Sequence, residues 1–296
     1  MSEKFILSCE STVDLPYDYV TGRDISVLFY TYQVDGTEYV DNMGRDKAEL
    51  ERFYEFIKEG KVPTTSQINE YTYLDYFDNL LAKGDVLHIA FGSGMTPSVN
   101  NARKAAETLK EKYPERKLII VDSLCSCCGY GLIVDSVADF RDTGADLEET
   151  AKYAEENCTR VCHQFFSTDI KYFKRSGRVS GPAATVASIL GICPIMHLNS
   201  EGRIIAYGKV RGKKNSIIKT VDEVEKNIRN GRDYDGKMFV SHSNCIELAN
   251  ATIEELEKRF PKLKGKIVLG NIGTTIASHT GVGTVAVFFY GCERQK

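Results

Sequence analysis

The stretch DVLHIAFGSGMTPSVNNARKAAETLKEKYPERKLIIVDS, residues 85–123, decides the fold. An apolar run, DVLHIAF, reads as a buried strand and breaks at Gly92 and Gly94. A helical segment follows from Pro97, a residue suited to a first helical turn, and KLIIVDS is a second strand. Two strands joined through a helix pair in parallel, because a parallel pair needs a long crossover and an antiparallel pair does not. Gly92 and Gly94 flank Ser93, so the turn between strand and helix can present backbone N–H groups beside a hydroxyl. A plain strand-to-helix turn reads the same way, so this loop alone is a weak indicator of a ligand.

The same alternation extends outward. KFILSCEST opens as a strand, and Ser11 or Asp14 is expected to cap a short helix that stops before Gly22. DISVLFYTYQVDGTEYVD reads as a hairpin turning at Asp35-Gly36. In DKAELERFYEFIKEG the apolar positions Leu50, Phe53, Tyr54 and Ile57 have helical spacing, and NEYTYLDYFDNLLAKG is a second helix. Beyond 123 two more helices are expected, near 126–141 and 146–161. The second half predicts helices at 169–175, 183–190, 213–229 and 246–259. Its strands are ICPIMHLN, GRIIAYGKVRG, KMFVSH, GKIVLG and GTVAVFFYG. A chain of 296 residues exceeds what one core comfortably supports. The expected architecture is therefore α/β with two α/β domains: an N-terminal, Rossmann-like, parallel-sheet domain over 1–164 and a C-terminal mixed-sheet domain over 165–296.

Composition narrows the function classes. A net charge of −3 with one local cationic patch, KVRGKKNS, is not the footprint of a nucleic-acid binder. No run of about 18 apolar residues is present, so no membrane span is expected. The first residues, MSEKFILSCEST, do not resemble a secretory signal, and the nine cysteines read as free thiols, so a cytoplasmic location is expected. Cys125, Cys127 and Cys128 form the tightest cysteine group, but no second group supplies metal ligands at a zinc spacing, and no metal is expected. The phosphate-loop, nucleophile-elbow and zinc-protease motifs are missing, and no catalytic residue is assigned.

Three further loops concentrate polar side chains where strands end. PTTSQ, residues 63–67, places Thr64, Thr65 and Ser66 side by side. FKRSGRVSG, residues 173–181, sets Arg178 in a glycine-flanked turn, and a guanidinium is shaped to meet a carboxylate. SHTGVGT, residues 278–284, carries His279 beside two glycines. Taken singly, Arg178 reads as readily as a solvated surface arginine, and His279 as a structural hydrogen bonder. Ser93, His279 and Asp122 can be drawn as a triad, though no spacing supports one. Ile189, Ile192, Met196, Val287 and Phe288 are apolar enough to line a tunnel and equally suited to ordinary core.

Read in order, ESTVDLP, PTTSQ, GSGMTPSVNNA, IIVDS, YFKRSGRVSG, ICPIMHLNSEGRI, KVRGKK and HTGVG resemble the DegV family of bacterial fatty-acid-binding proteins over nearly the whole chain. The resemblance implies two α/β domains with a long-chain fatty acid between them. It puts Thr65 and Ser93 on the ligand carboxylate, with Thr64 and Gly94 beside them, and Arg178 and His279 completing the polar end. It further implies that Arg211 faces a fatty acid kinase that phosphorylates the bound acid. The family pattern needs no cofactor and no catalysis by the binding protein itself, and it allows a transient encounter with a membrane. The rival reading is a small-molecule enzyme that uses Ser93 and His279 on an acyl or phosphorylated substrate. Glu10 stands where the family usually has Asp, and Val282 where it usually has Pro.

Overall fold

The computed structural model describes residues 5–182 and 191–296; the helix expected at 183–190 lies outside them. The first half runs β1 (Ile6–Glu10), α1 (Tyr17–Gly22), β2 (Ile25–Leu28), β3 (Thr31–Val34) and β4 (Thr37–Val40). It continues with α2 (Lys47–Lys58), β5 (Thr64–Thr65), α3 (Glu70–Leu81), β6 (Val86–Ala90), α4 (Ser98–Lys112) and β7 (Leu118–Asp122). Helices α5 (Cys127–Asp142) and α6 (Leu147–Cys158) complete it. The second half runs β8 (Val161–Ser167), α7 (Lys171–Ser176), β9 (Val179–Ser180), β10 (Ile192–Leu198), β11 (Ile204–Arg211) and α8 (Lys213–Asn227). Then come β12 (Met238–His242), α9 (Ile246–Arg259), β13 (Val268–Asn271), α10 (Thr274–Thr280) and β14 (Thr284–Tyr290).

Strands β2, β1, β6 and β7 form a parallel sheet in that order. All five residues of β6 are buried, as expected of a strand covered on both faces. Neighbours on the two sides of β1 are reached by crossovers leaving in opposite directions, so a crevice opens at the carboxyl ends of β1 and β6, where α/β sheets bind ligands. The second half builds a seven-stranded mixed sheet, β13-β12-β14-β8-β10-β11-β9. A small third sheet, β4-β3-β5, holds the threonine pair in register, with Thr65 opposite Tyr32 and Thr64 opposite Gln33.

Four expectations need amendment. The hairpin is only its second part: Asp35 and Gly36 have φ of 50° and 80°, as a type I′ turn requires, and join β3 to β4. Ile25–Leu28 instead pairs in parallel with β1, because a β-prone run carries no mark of which partner it will take. Neither Ser11 nor Asp14 caps α1, whose N-cap is Pro16; the Ser11 hydroxyl accepts the Tyr30 N–H at 3.0 Å. The division set after residue 164 falls inside β8, all of which belongs to the larger sheet, so sheet membership divides the chain ahead of Val161. Finally, SHTGVGT is not wholly a loop. Its first three residues end α10, a seven-residue helix too short and too rich in threonine to show helical spacing. Gly281 terminates α10 at φ 64° and ψ −155°, a region open essentially only to glycine.

The halves are tied together by a buried carboxylate. Asp135 on α5 is 2 % exposed and accepts from Tyr19 and Arg23, each at 2.7 Å, and from Lys237, which precedes β12. Removing it takes away the buried anion of the cluster and leaves Arg23 and Lys237 to the more exposed Asp139 and Asp142. Asp135→Ala should lower the unfolding free energy by about 2–4 kcal/mol, short of the upper figure for a fully buried pair because Lys237 is a third exposed; urea unfolding monitored by circular dichroism measures it.

Candidate functional site

A cleft of about 1150 Å³, part of it open to solvent, lies between the halves. Most of its wall is apolar, including Phe91 after β6, Phe165 on β8, Phe173 on α7, Leu198 on β10, Ile276 on α10 and Phe288 on β14. A cleft of this kind suits a ligand whose bulk is hydrocarbon, with a few polar groups fixing its orientation.

Those polar groups meet at one end. Successive residues of a strand point to opposite faces. In β5 this leaves Thr64 exposed while Thr65 turns into the cleft. The Thr65 hydroxyl lies 2.7 Å from His279 Nε2, and Nδ1 of that ring is buried without a partner. Burial, followed by the nearby Arg178 and Arg175 charges, pulls the His279 pKa down to about 4, so the imidazole is neutral near pH 7. Arg178 lines the same cleft. It follows Gly177, which ends α7 in the left-handed conformation at φ 67°, and its guanidinium donates to the Ser176 carbonyl. Together the three present a rotatable hydroxyl, a neutral ring and a fixed positive charge, a set matched to an acid headgroup.

The glycine loop behaves differently from the expectation. Ser93 is exposed, lies outside the cleft lining and gives its backbone N–H to Asp122 at 3.0 Å. The hydroxyl that this loop turns inward belongs to Thr96, 3.0 Å from Ser98 Oγ. Gly94 is needed for another reason: a Cβ there would sit 2.4 Å from the Gly202 carbonyl, so this is where the backbones of the two halves touch. Glu10 fixes the start of the loop. Fully buried at the end of β1, it accepts the Phe91 N–H at 2.7 Å and the Tyr73 hydroxyl. Arg211 is exposed at the end of β11, away from the cleft lining.

Two groups that sequence reasoning missed also face the cleft. Tyr30 carries a buried hydroxyl without a partner; its place after β2 gave no signal. His163 accepts the Ser126 N–H at Nε2, 3.1 Å away, so its Nδ1 carries the proton toward the Val161 carbonyl. Burial holds its pKa well below the usual value, and the inner wall stays uncharged. Cys127 lines the cleft with its thiol pushed up by burial, 3.2 Å from Ser241 Oγ. Among the described residues no group of three or more His, Cys, Asp and Glu could hold a metal, and no helix is long and apolar enough to cross a membrane.

Comparison with known proteins agrees with this fold. The DegV family model matches residues 4–291. A DegV domain-containing protein of Clostridium perfringens is 35% identical over 294 residues, covering 99% of each chain. A DegV lipid-binding protein of Thermotoga maritima has a TM-score of 0.84 at 23% identity, covering 99% of this chain and 100% of its own. A DegV protein of Eubacterium eligens, solved loaded with heptadecanoic acid, has a TM-score of 0.83 at 18% identity, covering 97% and 100%.

The depressed His279 pKa has a measurable consequence. A base whose folded pKa lies below its unfolded value stabilises the fold fully above about pH 6.5, and that stability is lost as pH falls toward 4. The shift from about 6.5 to about 4 corresponds to about 3 kcal/mol. An NMR titration of ring-labelled protein without ligand should place the His279 midpoint near 4, and His279→Gln should flatten the stability profile between pH 4 and 6.5.

Proposed function

The chain belongs to the DegV family, and from that premise we propose that it binds a long-chain fatty acid in the cleft and presents the carboxylate to a fatty acid kinase. The observation that carries this reading is one apolar cleft that ends in Thr65, His279 and Arg178. A carboxylate leaving water for such a cleft is heavily penalised unless several donors meet it, and each charge-assisted bond contributes about 1.5–3 kcal/mol. The tail supplies the affinity: about 14 methylenes at ~0.8 kcal/mol each give ~11 kcal/mol before ordering costs.

The headgroup contacts divide the work. Arg178 supplies charge, while Thr65 and Thr96 supply neutral donors that hold the acid without trapping it. His279 stands behind Thr65: with its proton on Nε2 the ring donates to the Thr65 oxygen and leaves the hydroxyl proton free for the ligand. Thr64, Ser93 and Gly94, outside the cleft lining, act in this reading through the shape of their loops. Arg211, exposed beyond β11, belongs to the surface offered to the kinase. The protein works without a cofactor, in the cytoplasm, touching a membrane only to exchange its lipid. It performs no chemistry itself. The rival enzyme reading has little to stand on, since His279 is engaged by Thr65 and Ser93 points its N–H at Asp122.

Native mass spectrometry of the purified protein should find an acyl adduct released on denaturation. Thr65→Val with Thr96→Val should weaken palmitate binding by at least about a hundredfold with the fold retained, since two such bonds are lost. A protein that carries no lipid and takes up neither palmitate nor oleate would overturn the reading. A kinase that makes acyl phosphate equally well without this protein would overturn the presenting role alone.

A further inference from the structure

Helix α10, which carries His279 in its last turn, has no side-chain cap of its own. Its first turn is met instead by two buried carboxylates from the other half of the chain. Asp41 accepts the Thr275 N–H at 3.2 Å. Asp14 Oδ1 approaches Gly273 so closely that a Cβ on that glycine would lie 2.4 Å from it and 3.4 Å from Asp41 Oδ1. Both acids are buried, 8 % and 2 % exposed, and burial is the main cause holding both carboxyls above the usual range. Asp14 belongs to the ESTVDLP motif, and the binding reading gives neither acid a task.

Resting on the reading that His279 orients the Thr65 hydroxyl toward the ligand's acid group, we propose that Asp14 and Asp41 are positioning residues, which seat the first turn of α10 and thereby set the height and orientation of the imidazole. His279 lies five positions beyond Thr274, about 7.5 Å of helix rise, a length over which a helix moves as a rigid rod. The middle of α10, Ile276 to Ser278, is buried, so the helix shifts as one body or not at all. At one end the rod is hydrogen-bonded to Asp41, with Asp14 packed against Gly273 and its carboxyl oxygens otherwise unpartnered, and at the other end it is held by Thr65. Displacing the first turn therefore carries the ring away from the Thr65 hydroxyl. Gly273 is the complementary half of the seat, since only a residue without a Cβ lets Asp14 in.

Asp41→Ala removes one anchor, and Gly273→Ala pushes the turn off Asp14 by collision while leaving both acids in the sequence. Each should raise the His279 titration midpoint from near 4 toward 6.5 in NMR of the unliganded protein, and each should weaken palmitate binding about tenfold, the effect of a lost cap. Asp41→Asn keeps an acceptor oxygen and should restore both values. Asp135→Ala, which loosens the halves elsewhere, should lower thermal stability and leave the His279 midpoint alone. If Asp41→Ala does not fold, Gly273→Ala and Asp41→Asn carry the test. Unchanged midpoints and affinities in Asp41→Ala and Gly273→Ala would overturn the proposal, as would an equal shift in Asp135→Ala. Should wild-type protein bind no palmitate, the fatty-acid reading fails, while the titration midpoints still judge the seat.

Discussion

The hydrogen bond between Thr65 and His279 joins residues 214 positions apart and ties the two halves together at the polar end of the cleft. Thr65 reaches the cleft because β5 is stitched to β3 in a register that turns the second threonine inward. His279 reaches it because α10 stands end-on against the other half of the chain. The site is thus a property of the interface between halves, and whatever fixes that interface fixes the chemistry.

The interface is built from contacts of differing stiffness. The Gly94–Gly202 approach is backbone on backbone, with no rotamers to relax. The Asp135 cluster is a set of ion pairs bridging α5 to the segment before β12. Between them lies a cleft wall kept electrically quiet: His163 is locked neutral by a donor at one nitrogen and an acceptor at the other, and the Cys127 thiol is held protonated by burial. Charge is confined to the end where Arg178 stands, so a ligand with one charged end has one favourable orientation.

Much of the fold was legible. The strand-helix-strand pattern of 85–123 announced the parallel sheet, since buried apolar runs and amphipathic helices obey distinct periods. Elements of four to seven residues were the ones misread, because they hold too few positions for a period to show; α10 and the split of β2 from the β3-β4 hairpin are the cases. In the site, Thr65, Arg178 and His279, singled out through the family resemblance and not by residue type alone, line one cleft. Ser93 and Thr96 were separated only by which way a loop twists, and composition holds no record of a twist. Tyr30 left no trace at all, being one aromatic among many in a β-prone segment.

The strand order has a consequence for how the molecule is made. β14 lies between β12 and β8 in the larger sheet, yet both of those precede it in the chain. A ribosome delivering this polypeptide releases β8 and β12 with an unpaired edge each, and those edges wait until residues 284–290 emerge. Closure of the sheet, and with it the cleft, is therefore a late event of non-local pairing, the slow kind. Until then the nascent chain shows naked sheet edges to its surroundings, surfaces on which another chain can pair.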